Sequence, residues 1–97
     1  MKPFQIEYPS AYRQYEHEVP AKGWLDVKVK LGARRYPVSF RDLGNVQQGL
    51  ASPGEDGLTL FTETALVIID SVTTANVERA VARLVGAGFF DHLAPLP

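Results

Sequence analysis

Apolar and polar residues alternate along residues 24–31, the clearest pattern in the chain. A period of two over eight residues is typical of a strand with one buried face. Residues 35–41 alternate in the same way, and Gly32-Ala33 between them can form a two-residue turn, with glycine supplying the positive φ. The resulting hairpin aligns three apolar pairs on its core face: Leu25 with Phe40, Val27 with Val38, and Val29 with Tyr36.

The last third of the chain carries two further patterns. Residues 65–69 form an unbroken apolar run that ends at Asp70, which predicts a buried interior strand at about 65–70. An amphipathic helix is predicted over residues 73–86, with Thr73 or Thr74 as its N-cap and glycines at its end. Its apolar stripe has the spacing of a helix that covers a sheet: Val77, Ala80, Val81, Leu84 and Val85.

The remaining segments give weaker patterns. Residues 3–8 and 58–62 are predicted strands, and Asp42 is a suitable N-cap for a short connecting helix at about 43–51. Residues 10–19 are open to two interpretations, because their tyrosines fit helical spacing but also suit an irregular connection. Pro37 cannot donate a ladder hydrogen bond, so its strand should have a free stretch of edge.

Together these patterns predict a single small α+β domain over residues 1–97. Its sheet should be mainly antiparallel, with four or five strands, and covered on one face by the C-terminal amphipathic helix. The predicted strands lie at about 3–8, 24–31, 35–41, 58–62 and 65–70.

Composition adds the class of protein. The 97 residues are 45% hydrophobic and 22% charged, as in an ordinary globular domain, and contain no cysteine for disulfide or thiolate chemistry. No apolar run approaches the roughly 20 residues of a membrane span, so no membrane partner is expected. Gln5 and Glu7 interrupt the apolar core that an N-terminal signal peptide needs, so we expect a cytoplasmic protein.

Motifs for catalysis or cofactor binding are not evident. Glu16-His17-Glu18 is the densest group of potential metal ligands, but adjacent side chains diverge on a strand or a helix, so we predict no metal site. Asp91-His92 lacks a local nucleophile elbow, and the glycine-containing segments lack the lysine of a phosphate loop. We therefore expect no cofactor and favour a protein that is not an enzyme.

The outer face of the predicted hairpin carries the most suggestive side chains. An aromatic residue lies among four basic ones, as on surfaces that bind single-stranded nucleic acid: Trp24, Lys28, Lys30, Arg35 and Arg41. The same residues also suit the solvated face of an antiparallel sheet. The net charge of −1 argues against a nucleic-acid partner.

Three functional hypotheses remain. The first is a small non-catalytic interaction or regulatory module whose partner is another protein or a second copy of the chain, in a homodimer formed through the hairpin edge. Its candidate binding residues are the five on the hairpin face together with Tyr12 and Tyr15. The second is single-stranded nucleic-acid binding through the basic hairpin face. The third is a small-ligand binder or enzyme whose pocket is lined by Tyr12, Tyr15, His17 and His92.

Overall fold

The computed structural model describes residues 3–51, 56–58, 62–63 and 65–97. Its strands are β1 (Gln5–Glu7), β2 (Trp24–Leu31), β3 (Arg34–Arg41) and β4 (Leu66–Ile68). Its α-helices are α1 (Tyr12–Tyr15), α2 (Val19–Lys22), α3 (Leu43–Leu50) and α4 (Thr74–Gly86). Short 3₁₀ helices span Glu16–Glu18 and Phe89–His92.

The predicted hairpin is confirmed, including its register. Strands β2 and β3 pair antiparallel, and Gly32 in the turn has a φ of 62°, which glycine adopts without a steric penalty. All three predicted apolar pairs are found. Their side chains are buried, whereas the alternate residues of β2 are exposed. The hairpin therefore separates a core face from an outer face.

The strand order is β1-β2-β3-β4. Strand β1 pairs antiparallel with β2, whereas β4 pairs parallel with β3 through Ser39 and Leu66, Phe40 and Val67, and Arg41 and Ile68. A parallel pair needs a crossover connection, and α3 lies in the segment that returns the chain from β3 to β4. The predicted single α+β domain with a mostly antiparallel sheet is confirmed.

The predicted interior strand at 65–70 is wrong in its position. Within the described residues, β4 is an edge strand of three residues, and the side chain of Ile68 is 51% exposed. Val67 and Ile69 pack against the core, whereas Ile68 between them lies on the opposite face and is exposed. The unbroken apolar run therefore does not mean that both faces of the strand are buried. Most of the predicted strand at 58–62 lies outside the described residues, and Leu58 and Thr62 belong to no strand.

Pro37 occupies the position expected for a strand residue without a donor. Successive residues of a strand direct their N–H groups to opposite sides, and the amide of Ser39 bonds to Ala65 on the β4 side. The nitrogen of Pro37, two residues before Ser39, therefore also faces the β4 side. Pairing of β3 with β4 begins only at Ser39, so no residue of β4 lies opposite Pro37. The free stretch of edge is confirmed for the described part of the chain.

The ambiguous segment at 10–19 is helical. Helices α1 and α2 flank the first 3₁₀ helix, and they bury Tyr12 and Val19 in the apolar core. The predicted strand at 3–8 is shorter, because pairing with β2 ends at Glu7.

Helix α4 completes the core, as predicted. The Thr73 hydroxyl caps it by accepting a hydrogen bond from the amide of Asn76 at 3.1 Å. Val77, Val81 and Val85, spaced by four residues, are buried. They belong to one apolar cluster with Phe40 and the other inward-facing residues of the hairpin. The connecting helix α3 is capped by Asp42, also as predicted, but buries none of its residues.

Candidate interaction surface

Trp24 begins β2 on the outer face of the sheet, with 40% of its surface exposed. The guanidinium of Arg41, its cross-strand partner, lies 5.9 Å from the centre of the indole ring. Ile68 follows on the next strand in the same row. One end of the outer face is therefore an exposed aromatic and aliphatic surface with a cation over its ring.

A cavity of about 290 Å³ lies beside Trp24. We call it the aromatic cavity. The segment from Tyr8 onward leaves the sheet and returns through α2, so that both ends of this excursion flank the start of β2. The chain turns from α2 into β2 at Gly23, whose φ is 79°. The lining combines aromatic and aliphatic walls with one cation and one carboxylate: Pro9, Tyr15, Val19, Lys22, Trp24, Leu25 and Asp26.

Beside the aromatic cavity, the backbone of β2 has a stretch with no strand partner among the described residues. Strand β1 pairs with residues 28–30 of β2 and does not reach Trp24 or Asp26. Leu25 and Val27 direct their backbone groups to β3, so the intervening Asp26 directs its N–H and C=O to the β1 side. No described residue pairs with β2 there. A short stretch of strand edge thus adjoins the cavity.

Two of the four predicted basic residues are engaged within the protein. Arg35 donates two hydrogen bonds to the Glu7 carboxylate, at 2.7 and 2.6 Å, across the outer face of β2. This contact lowers the pKa of Glu7 and raises the pKa of Arg35. Arg41 donates to Asn45 at 2.6 Å and to Glu63 at 3.1 Å.

Lys28 and Lys30 remain exposed on the outer face. Both lie close enough to the Glu7 carboxylate to help lower its pKa. Asp26, on the same face, adds a second carboxylate to the surface that the sequence suggested was basic. The outer face is therefore mixed in charge.

Tyr12 is a structural residue in this fold. Its side chain is 4% exposed, stacks on the Tyr8 ring at 4.5 Å, and lies edge-on to Tyr15. Its hydroxyl contacts that of Thr74, which in turn donates to the Glu16 carboxylate. Because the single Thr74 proton is used there, Tyr12 is the donor in the first bond.

This hydrogen-bonded chain also explains two shifted pKa values. The bond from Thr74 holds the pKa of Glu16 below its usual value. Burial next to the stacked Tyr12 ring raises the pKa of Tyr8 to about 12, with the nearby charge of Glu78 acting in the same direction. Both effects belong to the packing of the N-terminal segment on α4.

Both histidines, His17 and His92, are exposed. Within the described residues, no group of three or more histidine or carboxylate side chains is placed to hold a metal ion. In the same part of the chain, no helix is both long and apolar enough to cross a membrane.

The structure brings two of the candidate binding residues, Tyr15 and Trp24, to one cavity. Pro9, Lys22 and Asp26 also line this cavity, and they were not among the predicted binding residues. The glycine directly before Trp24 was an available indication, because a turn at Gly23 places Lys22 and Trp24 on either side of a bend. No protein-family model matches the chain, and comparisons with curated proteins and with solved structures find no match.

Proposed function

We propose that this chain is a small non-catalytic protein-interaction module. Its partner is an extended segment of another protein, which places one large apolar side chain in the aromatic cavity. The observation that carries this proposal is the position of the cavity directly beside the unpaired edge of β2 at Trp24 and Asp26.

The chemistry of the cavity suits such a partner. Trp and Tyr are the side chains that most often anchor protein interfaces, because they bury a large area at a small entropic cost. Tyr15 and Trp24 supply this area, and Val19 and Pro9 extend it. Specificity would come from the rim, where Lys22 and Asp26 offer one charge of each sign.

The adjacent strand edge supplies the second half of the interaction. An extended segment that adds to an exposed edge gains main-chain hydrogen bonds, and alternate side chains then enter neighbouring pockets. The N–H and C=O of Asp26 are available for this pairing because β1 has already ended at Glu7. Backbone pairing would fix the register of the segment, and the cavity would select its anchoring side chain.

Single-stranded nucleic acid is a weaker proposal for the same face. Phosphate binding needs accessible cations, but Arg35 is engaged by Glu7, and Arg41 by Asn45 and Glu63. Asp26 would repel phosphate beside Trp24. A titration with a mixed oligonucleotide at low salt, followed by Trp24 fluorescence, distinguishes the two: we expect no change.

The proposal can be tested with peptides selected for binding. Random peptides without tryptophan are displayed, selected on the purified protein and titrated while Trp24 fluorescence is recorded. We expect a shared apolar anchor among the selected sequences and saturable fluorescence changes. Replacing the anchor with alanine in the peptide, or Tyr15 with alanine in the protein, should weaken binding by about tenfold or more.

The control is Lys30→Ala, which removes an exposed side chain of β2 that lies outside the cavity. Circular dichroism verifies that both variants fold. Equal binding by Tyr15→Ala and the wild type, or failure to select any saturable peptide, would contradict the proposal. Sedimentation velocity over a range of concentrations tests whether a second copy of the chain is the partner instead.

A further inference from the structure

Among the described residues, none pairs with the outer edge of β4. Ala65 and Ile69 bond to β3, with the amide of Ser39 donating to Ala65 at 3.2 Å and the amide of Ile69 donating to Arg41 at 3.0 Å. By strand alternation, Val67 also faces β3, whereas Leu66 and Ile68 direct their N–H and C=O groups away from the sheet. No described residue pairs with them on that side.

Helix α4 runs beside this edge and forms a groove with it. We call this the β4–α4 groove. Its cavity is about 240 Å³ and is lined from the strand side by Ile68, Ile69 and Asp70. The helix contributes residues at i, i+3, i+4 and i+7, which lie on one face: Asn76, Arg79, Ala80 and Arg83. An edge strand beside a helix is a geometry in which added strands are bound.

The charge of the groove indicates what it accepts. Arg79 and Arg83 form no ion pair with any described carboxylate, and Arg79 donates a hydrogen bond to the side-chain oxygen of Asn76 at 3.4 Å. Asp70 is the single carboxylate among the lining residues. Arg79 and Arg83 lie one helical turn apart on α4, so together they can engage carboxylates on an extended segment.

We propose that the β4–α4 groove binds an extended acidic segment of a partner protein by strand addition. The backbone of the segment pairs with Leu66 and Ile68, and its carboxylates contact Arg79 and Arg83. The site is separate from the aromatic cavity, because β3 lies between β4 and β2. It does not depend on the function proposed above.

Charge favours such a segment over a second copy of this chain. A two-fold axis perpendicular to the sheet would pair β4 with its symmetry mate and place the two α4 helices side by side on one face. Arg79 and Arg83 of both copies would then face each other across the junction. Like charges in that arrangement oppose the dimer.

The test uses a blocked peptide of alternating valine and glutamate, titrated into the ¹⁵N-labelled full chain. A peptide with glutamine in place of glutamate is the matched ligand control. We expect saturable chemical-shift changes at the amides of Leu66 and Ile68. The affinity for the peptide should fall when salt is added. The glutamine peptide should bind about tenfold or more weakly.

The protein variants are the double substitution Arg79→Gln with Arg83→Gln, and the control Arg34→Gln, an exposed arginine outside the groove. Because all three arginines are exposed, these variants are expected to fold. The double variant should lose about tenfold or more in affinity, and the control should bind as the wild type does. No shift at Leu66 or Ile68 at millimolar peptide, unchanged affinity of the double variant, or a dimer that involves Leu66–Ile68 overturns the proposal.

Discussion

Replacing Thr74 with valine removes the hydroxyl that joins the N-terminal segment to helix α4. Valine keeps the shape of the side chain, so the change is confined to two hydrogen bonds. One is donated by Tyr12, and the other is donated to Glu16. The comparison variant, Tyr12→Phe, removes the first bond and leaves the second in place.

The structure predicts which of the two variants lowers the free energy of unfolding more. Tyr12→Phe removes a hydrogen bond and its buried donor together, which costs about 1 kcal/mol. Thr74→Val leaves the Tyr12 hydroxyl in a side chain that is 4% exposed without its partner, which costs about 1–3 kcal/mol for the unsatisfied group. The free energy of unfolding should therefore fall more for Thr74→Val than for Tyr12→Phe.

The pH dependence gives a second readout. The pKa of Glu16 is lowered in the folded protein from its ordinary value of 4.5, chiefly by the Thr74 hydrogen bond. A lowered carboxyl pKa contributes stability that is present above the unfolded pKa and is lost as pH falls through the folded pKa. The difference between wild type and Thr74→Val should therefore narrow as pH falls below about 4.5.

Urea unfolding at neutral and acidic pH measures both effects. The control is Thr62→Val, the same substitution at an exposed position, which should leave stability nearly unchanged. If Tyr12→Phe lowers the free energy of unfolding as much as Thr74→Val does, or more, the assigned direction of these hydrogen bonds is refuted.

Three further predictions concern the backbone and the shifted carboxyl and phenol groups. Gly23→Ala should cost about 1–2 kcal/mol or more in urea unfolding, because φ is 79° and an added Cβ would meet carboxylate oxygens at 2.8 Å. Its control, Gly86→Ala, meets nothing within 4 Å and should be neutral or stabilising by up to about 1 kcal/mol. Ultraviolet titration should reveal one phenol, that of Tyr8, that ionises only at about pH 12; Tyr8→Phe should remove that step, and its persistence would refute the assignment. The lowered pKa of Glu7 means that its contact with Arg35 stabilises the protein above pH 4.5 and is lost on acidification; Glu7→Gln should reduce this acid sensitivity, and an unchanged pH profile would contradict it.

Residue alternation, turn glycines and capping residues correctly predict the elements whose stabilising contacts are close in sequence. The alternation of β2 and β3 and the Gly32 turn led to the correct register, because a one-residue slip would expose the core face. The caps were predictable for the same reason, since each bonds to an amide three residues later: Asp42 was the predicted cap of α3, and Thr73 was one of two candidates for α4.

Long-range packing decided the features that sequence reasoning missed. An apolar run indicates that a strand is well packed, but it does not indicate whether another strand pairs with it on each side. For this reason the prediction of an interior strand at residues 65–69 is wrong, and β4 lies at an edge of the described sheet. The burial of Tyr12 depends on Thr74, which lies 62 residues away. Likewise, Pro9 and Trp24 meet at one cavity only after the intervening helices have packed on the sheet.

Residue-resolved amide hydrogen exchange tests the central claim most directly. The claim is that, among the described residues, nothing pairs with Asp26 on the β1 side of β2 or with Leu66 and Ile68 on the outer side of β4. Strand alternation predicts fast exchange at Asp26 but slow exchange at Lys28, which pairs with β1. On β4 it predicts fast exchange at Leu66 and Ile68 with slow exchange at Val67 between them. Uniform protection along β2 would contradict the site beside the aromatic cavity, and uniform protection along β4 would contradict the β4–α4 groove.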